Sequence, residues 1–303
     1  MNAITIVIPT FNRLDLLKIA LESCLNQTYL PFEIIIGDDS NNDETERWIN
    51  GLNHQGIKIR YYHHKPSLKQ ADNVEFIIQK VQTDWMLLLH DDDYLLPDAL
   101  NDLFLTVSDI NDLDVIFGKQ YIINHSGEID VKGSEKLNKF YRRTKQFELI
   151  NLDPMEVALK QQLPSNSFLI KTDLAKTTHY NFKEIAGDAI DFYFCLLLAI
   201  KNSKFIFIDK YISCYRITNN SISSNSNAGY YSYRIVESLK LNNKKHEKYK
   251  NKFLYNMAPI AIRDAKKNIG IHEAKRIFFS KYNLRKPISF RVLVEFFKLY
   301  FKI

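Results

Sequence analysis

The chain has 303 residues, is 46% hydrophobic and 25% charged, and carries a formal net charge of +6. At roughly 150 residues per domain this is about two units, or one large α/β domain with an appendage; the composition excludes wholesale disorder, collagen-like repeats and a disulfide scaffold. The three cysteines, Cys24, Cys195 and Cys214, are too few and too scattered for a zinc site and fit a reducing cytoplasm.

The predicted elements alternate. Residues 4–8 are a continuous apolar run, as in a strand buried on both faces. No basic n-region precedes them, so the start reads as a strand and not as a signal peptide. Apolar residues at helical spacing predict a helix over 14–25. Residues 32–36 read as a second buried strand ending at Gly37-Asp38-Asp39-Ser40. A short helix over 45–52, a third strand over 57–62 and a helix over 71–81 follow. A fourth strand over 85–89 ends at His90-Asp91-Asp92-Asp93, and Pro97 suits the first position of the next helix. Strands alternating with helices imply a mostly parallel sheet flanked by helices.

Beyond residues 115–118 the rhythm loosens. Residues 125–150 are polar and read as a long loop, 167–170 as a strand, 188–200 as a strongly apolar helix, and 205–208 and 212–215 as two short strands. The polar stretch 219–229 marks a boundary, dividing the chain into domains 1–225 and 226–303, the second a helical, basic, aromatic extension. Residues 234–303 carry 18 Lys and Arg against 5 Asp and Glu, while the rest of the chain carries 23 against 30. Within 288–303, Arg291, Glu295, Lys298 and Lys302 form one narrow charged stripe on an otherwise apolar helix. Such a helix packs on the first domain, pairs with a second subunit, or lies in a membrane interface, where Lys244, Lys245, Lys248, Lys250 and Lys252 would add attraction to anionic lipid. Nucleic acid is not an expected partner, because no reader motif accompanies the charge. No apolar run approaches the roughly 18 residues that span a bilayer.

In open parallel sheets, ligands bind outside the carboxyl ends of the strands. Three polar clusters fall at such ends: Pro9-Thr10-Phe11-Asn12-Arg13, Asp38-Asp39 and Asp91-Asp92-Asp93. One aspartate would serve as a helix cap, but three in a row repel and call for a cation or solvent. Carboxylates facing a diphosphate need a bridging divalent cation, and hard oxygen ligands suit Mg²⁺ or Mn²⁺. A dinucleotide oxidoreductase is disfavoured, since no G-x-G-x-x-G follows the first strand. A haloacid-type phosphatase would want a nucleophilic aspartate there, and none is present.

Taken together, Ile6-Val7-Ile8-Pro9-Thr10-Phe11-Asn12-Arg13, Leu25-Asn26-Gln27-Thr28-Tyr29, Glu33 through Ser40, Asn73 and Leu87 through Asp93 with Pro97-Asp98 resemble the family 2 glycosyltransferases, inverting enzymes of the GT-A fold. The resemblance is close over roughly the first 110 residues and looser to Asn220. It implies a GT-A, Rossmann-like α/β fold and transfer of a sugar from a nucleotide donor, most often a UDP-sugar, to a glycan or lipid-linked acceptor. It further implies work in bacterial surface polysaccharide synthesis, such as O-antigen, capsule or lipooligosaccharide, at the inner face of the cell membrane. Pro9, Thr10, Asn12, Arg13, Asn73 and Asp91 would line the donor pocket, and Asp39 would bond the base edge. Asp92 would hold the metal, with Asp93 the additional acidic position. His90 stands where the family often has its first Asp. An acceptor base is expected at the opening of a helix, where Asp188 fits best and Asp191 is the alternate. Arg216 would approach the diphosphate, and Thr218 stands where many members place a metal-holding His. The non-enzymatic alternative is a nucleotide-sugar-binding or scaffold module at the membrane; an oligomer is open.

Overall fold

The computed structural model describes residues 3–52, 56–110, 112–217, 226–284, 292 and 294. The chain divides into two compact units, Met1–Asn181 with Leu197–Thr218, and Phe182–Leu196 with Asn219–Ile303. Thr218 and most of the region 285–303, where the sequence predicts an amphipathic helix, lie outside the described residues.

The first unit is a helix-flanked sheet. Among the described residues its strands are β1 (Ile4–Thr10), β2 (Glu33–Asp38), β3 (Lys58–His63), β4 (Trp85–Leu88), β5 (Tyr94–Leu95), β6 (Val115–Ile123), β7 (Ile129–Asp130), β8 (Phe168–Lys171) and β9 (Phe205–Arg216). They are ordered β3-β2-β1-β4-β8-β6-β9-β5, with β7 on β6. The first four run parallel. β8 runs antiparallel to β4 and β6, β5 antiparallel to β9, and β6 parallel to β9. β1 and β2 are buried along their whole length, which is why their sequences are unbroken apolar runs until the polar ends. Ile4, Ile6, Ile8, Ile34, Ile36 and Leu87 share one core with Leu17 and Leu21 of α1 (Leu14–Leu25). The register sets Thr10 beside Asp38 and Asp38 beside His63, so the polar ends share one edge.

Three expectations change. The next helix, α4 (Ala99–Asp109), begins two residues after Pro97; Asp98 precedes it, and the Pro97 carbonyl accepts from Thr28 N–H at 3.0 Å. α2 (Glu44–Asn50) and α3 (Gln70–Lys80) fall where the spacing places them. The stretch 125–150 is not a loop throughout: it contains β7 and α5 (Val131–Phe140), the latter capped by Asp130, which accepts from Gly133 N–H. Its buried face is polar. Ser134 Oγ accepts from Ile122 N–H at 2.7 Å and Asn138 Nδ2 donates to the Gln120 carbonyl at 2.8 Å. A helix that docks by satisfying backbone groups shows no apolar period. Residues 205–208 and 212–215 are one strand, because β9 continues through Asp209 and Lys210 with a register irregularity opposite Lys119, whose Nζ lies 2.9 Å from Asp209. α6 (Pro154–Leu159), α7 (Thr172–Thr178), α8 (Lys183–Ala186) and α9 (Ile190–Ile200) complete the helices before β9.

The second unit is helical, with α10 (Ala228–Ser238), α11 (Lys244–Asn268) and α12 (Ile271–Phe278). Tyr233 is fully buried and its hydroxyl lies 2.9 Å from Ser280 Oγ. Phe192 stacks on Phe253 at 5.2 Å. Lys250, grouped by sequence with the lipid-facing cations, is instead buried, its ammonium donating to the Leu239 carbonyl. Among the described residues no helix is long and apolar enough to cross a membrane.

Candidate active site

At the end of β1 the chain turns through Asn12, which takes the left-handed conformation (φ +51°) that Asn tolerates better than most residues. The turn is bonded to the end of β2: Asn12 N–H donates to Ser40 Oγ at 2.8 Å and Asn12 Oδ1 accepts from Asn41 N–H at 3.0 Å. It delivers Thr10 and Arg13 to the acidic triplet. Thr10 Oγ1 donates to Asp91 Oδ2 at 2.8 Å, and Arg13 Nη1 reaches Asp91 Oδ1 at 3.3 Å and Asp92 Oδ2 at 3.0 Å. Pro9 precedes them inside β1, in register with Gly37.

The three aspartates have different surroundings. The Asp91 side chain is 8% exposed; burial, then the charge of Asp92, pushes its carboxyl above the ordinary range against the opposing pull of Arg13 and Thr10. The Asp92 side chain is 22% exposed, and beyond Arg13 its carboxylate has no partner among the described residues. Asp93 is 2% exposed and both oxygens are engaged, Oδ1 by Arg216 N–H at 2.9 Å and Oδ2 by Asn166 Nδ2 at 2.5 Å. Burial and the Asp92 charge raise the Asp93 carboxyl to about 7. Asp93 therefore ties Arg216 of β9 and Asn166, just before β8, to the triplet and turns no free oxygen outward.

Arg216 works from the interior. Its Nε donates to the Asp92 carbonyl at 2.9 Å, and Nη1 to the Asn124 and His125 carbonyls at 3.1 Å each. Asn166 is a partner that no local pattern announces: its Oδ1 accepts from Ser213 Oγ at 2.8 Å, and Gln120 and Arg143 extend the buried network.

Asp38 and Asp39 divide their work. Asp38 accepts from Ser40 N–H at 2.7 Å and from Tyr61 OH at 2.7 Å, fixing the loop. Asp39 Oδ1 accepts from Leu68 N–H at 3.0 Å. Asn73 is buried on α3 and donates to the Gly37 carbonyl at 2.8 Å, so it supports the strand end from below. Ser40 stands in the resembling segment without a role of its own and Tyr61 in no motif, yet both hold this loop. Gln27 likewise braces the far side, its Nε2 bonding the Leu96 carbonyl and its Oε1 taking Leu100 N–H.

A divalent cation fits this edge. Mg²⁺ and Mn²⁺ sites on nucleotide enzymes use one or two carboxylates and take the remaining ligands from phosphates and water. Asp92 is the partly exposed carboxylate that matches this description, at the end of the strand beside Thr10 and Arg13.

In the second unit, Asp188 lies exposed between Gly187 and α9. Gly187 has φ +51° and packs against the Tyr231 ring, where a Cβ would meet the ring at 2.4 Å. Asp188 and Asn227 bond reciprocally: Asp188 N–H donates to Asn227 Oδ1 at 3.2 Å, and Asn227 N–H donates to Asp188 Oδ2 at 2.9 Å. Asp191, also exposed, lies in the first turn of α9.

Known proteins resemble this chain in sequence and in fold. The family model described as glycosyl transferase family 2 matches residues 5–159. The GalNAc(5)-diNAcBac-PP-undecaprenol beta-1,3-glucosyltransferase of Campylobacter jejuni is 31% identical over 141 residues, covering 45% of each chain. Residues 1–349 of TarS from S. aureus, solved in complex with UDP, superpose with a TM-score of 0.64 at 14% identity, over 98% of this chain and 81% of that one. The mannosyltransferase PcManGT from Pyrobaculum calidifontis, in complex with GDP-Man and Mn²⁺, superposes with a TM-score of 0.60 at 11% identity, over 99% and 87%. At these identities the two structures establish a shared GT-A fold.

Proposed function

Because the chain belongs to glycosyl transferase family 2, we propose that this glycosyltransferase moves a sugar from a UDP-linked donor to a glycan or lipid-linked acceptor, with inversion at the anomeric carbon. The observation that carries the reading is the cluster of Thr10, Arg13, Asp91 and Asp92 at the carboxyl edge of β1 and β4. Asp92 would hold the divalent cation, which when bound neutralises the donor diphosphate. Arg13 and Thr10 hold the Asp91 and Asp92 carboxylates in place. Asp39 keeps one oxygen on Leu68 and offers the other to a base N–H. Asp93 and Arg216 brace the triplet from inside. In the second unit Asp188, with Asp191 as alternate, takes the proton of the acceptor hydroxyl as it attacks the anomeric carbon from the face opposite the leaving nucleotide.

The UDP bound by TarS supports a uridine donor, and the undecaprenol-linked substrate in the name of the Campylobacter jejuni relative supports a lipid-linked acceptor. Bacterial surface polysaccharide synthesis, with the basic C-terminal region against the inner, anionic face of the cell membrane, follows from the same reading. A panel of nucleotide sugars tested for thermal stabilisation, with and without Mn²⁺, examines it. A ligand at about 100 times its Kd adds about 2.7 kcal/mol, so the donor should stand out, and only with the cation. No stabilisation by any nucleotide sugar would overturn the reading.

A further inference from the structure

We propose that Asp43, Glu46 and His63 form a second divalent-cation site, of the zinc and cobalt class, separate from Asp92. His63 is the last residue of β3, while Asp43 and Glu46 belong to the start of α2. The three ligand atoms lie within 4.8 Å of one another.

The carrying observation is the geometry around the imidazole. The His63 side chain is 7% exposed. Its Nε2 lies 2.9 Å from the Ser40 carbonyl oxygen. A carbonyl only accepts, so Nε2 holds the proton and donates. Nδ1 is buried and has no hydrogen-bond partner among the described residues. It faces Asp43 Oδ1 at 3.7 Å and Glu46 Oε2 at 3.5 Å. In a neutral imidazole that nitrogen would turn a lone pair toward two anionic oxygens, a repulsion that a bound cation, or a proton in its place, relieves. Zinc–nitrogen and zinc–oxygen bonds of about 2.0–2.2 Å place neighbouring tetrahedral ligands about 3.4 Å apart, close to the spacings observed. An imidazole that donates its other N–H to a backbone carbonyl is also the usual arrangement of a metal-bound histidine. One nitrogen and two carboxylate oxygens favour a transition ion over Mg²⁺ or Ca²⁺.

Lys65 is the resident competitor. Its Nζ lies 2.5 Å from Asp43 Oδ1, but both side chains are more than half exposed, and such pairs exchange at small cost. The site is tied to the donor edge. Ser40, which accepts from His63, donates its N–H to Asp38 and receives Asn12 N–H on its Oγ. An ion that fixes His63 thereby steadies the loop that carries Asp39.

Co²⁺ alone is the probe, with the full chain carrying Asp92→Asn so that the donor edge contributes no ion. Equilibrium dialysis and the visible d–d absorption of Co²⁺ read occupancy directly, without donor or turnover. One Co²⁺ per chain is expected. Adding Glu46→Gln should weaken it at least tenfold, with unchanged circular dichroism because the Glu46 side chain is only half-buried. Adding Lys65→Met should tighten it severalfold by releasing Asp43, an outcome that a merely structural ion pair does not produce. Absence of Co²⁺ in the Asp92→Asn chain, or equal affinity with and without Glu46→Gln, overturns the proposal. So does an imidazole nitrogen spectrum showing His63 doubly protonated in the presence of excess Co²⁺. None of these outcomes bears on the glycosyl donor.

Discussion

Arg13 Nη1 donates to Asp92 Oδ2 at 3.0 Å, so a fixed cation already stands against the carboxylate proposed to hold the metal. Two like charges a few ångströms apart repel even at an effective dielectric near 20. Arg13→Met should therefore tighten Mn²⁺ binding, by about tenfold or less given the solvent exposure of the pair, while lowering turnover. Mn²⁺ titration followed by electron paramagnetic resonance measures this. Binding that weakens would mean that Arg13 orders the carboxylates for the metal and does not compete with it.

Asp92→Asn should keep the fold and lose most activity. The substitution preserves size, and Asp92 is the most exposed of the three aspartates, so its loss leaves no unpaired buried charge. Excess EDTA should do the same to the parent protein. Full turnover in EDTA would remove the cation from the mechanism.

Gly37 matters for room. A Cβ there would stand 2.0 Å from Asn73 Oδ1 and 2.7 Å from Ile77 Cγ2. Both neighbours are buried on α3, so neither yields freely. Gly37→Ala should destabilise by about 1–3 kcal/mol, the usual cost of overpacking. It should also raise the KM for the donor, because Asp38 and Asp39 follow directly. Denaturant unfolding and donor kinetics on one preparation test both parts.

The sheet edge was legible because β1, β2 and β4 are buried on both faces and stop abruptly at polar residues. What stayed hidden depended on partners distant in sequence. Asn166 meets Asp93 across 73 positions, and nothing near residue 166 marks it. The same separation hid the function of Asp93, whose place in an acidic run reads as a ligand while its burial makes it a brace. α5 leaves no apolar period in the sequence, because its buried face is Ser134 and Asn138, polar groups that bond β6 backbone. The placement of the acceptor base rested on resemblance, since Asp188 and Asp191 both precede or open the same apolar helix.

In the second unit, Arg276 joins Glu273 and Glu237 at 2.9 Å each, and Tyr230 OH donates to Glu273. The bond from Arg276 is the main reason that the Glu273 carboxyl lies below its ordinary 4.5. A carboxyl lowered in the folded state stabilises above that ordinary value and loses the contribution as pH falls through the folded one. Glu273→Gln should thus be less stable than the parent near neutrality, by about 1 kcal/mol or less for a partly exposed pair. The two curves should converge as the pH falls below the ordinary glutamate range. Denaturation midpoints across that range show it; a constant gap down to pH 3 would mean the loss is one of packing.

Asp188 is the residue on which inversion is proposed to depend. Its Oδ2 accepts from Asn227 N–H at 2.9 Å, which orients the carboxylate and leaves Oδ1 for an acceptor hydroxyl. Gly187, held in the left-handed region against Tyr231, sets the direction from which Asp188 leaves the chain. Asp188→Asn keeps size but cannot take a proton, and loss of a general base costs about 10²- to 10⁴-fold. The loss should fall on kcat with saturating acceptor, while donor affinity, read by UDP protection against thermal unfolding, should scarcely move. Asn227→Ala should lower kcat less, since the backbone donor to Oδ2 survives that change while the side-chain acceptor for Asp188 N–H does not. Asp191→Asn is the comparison. If it abolishes turnover while Asp188→Asn remains active, the base lies one helical turn further on, in α9, and the Asp188–Asn227 bond serves only to open that helix.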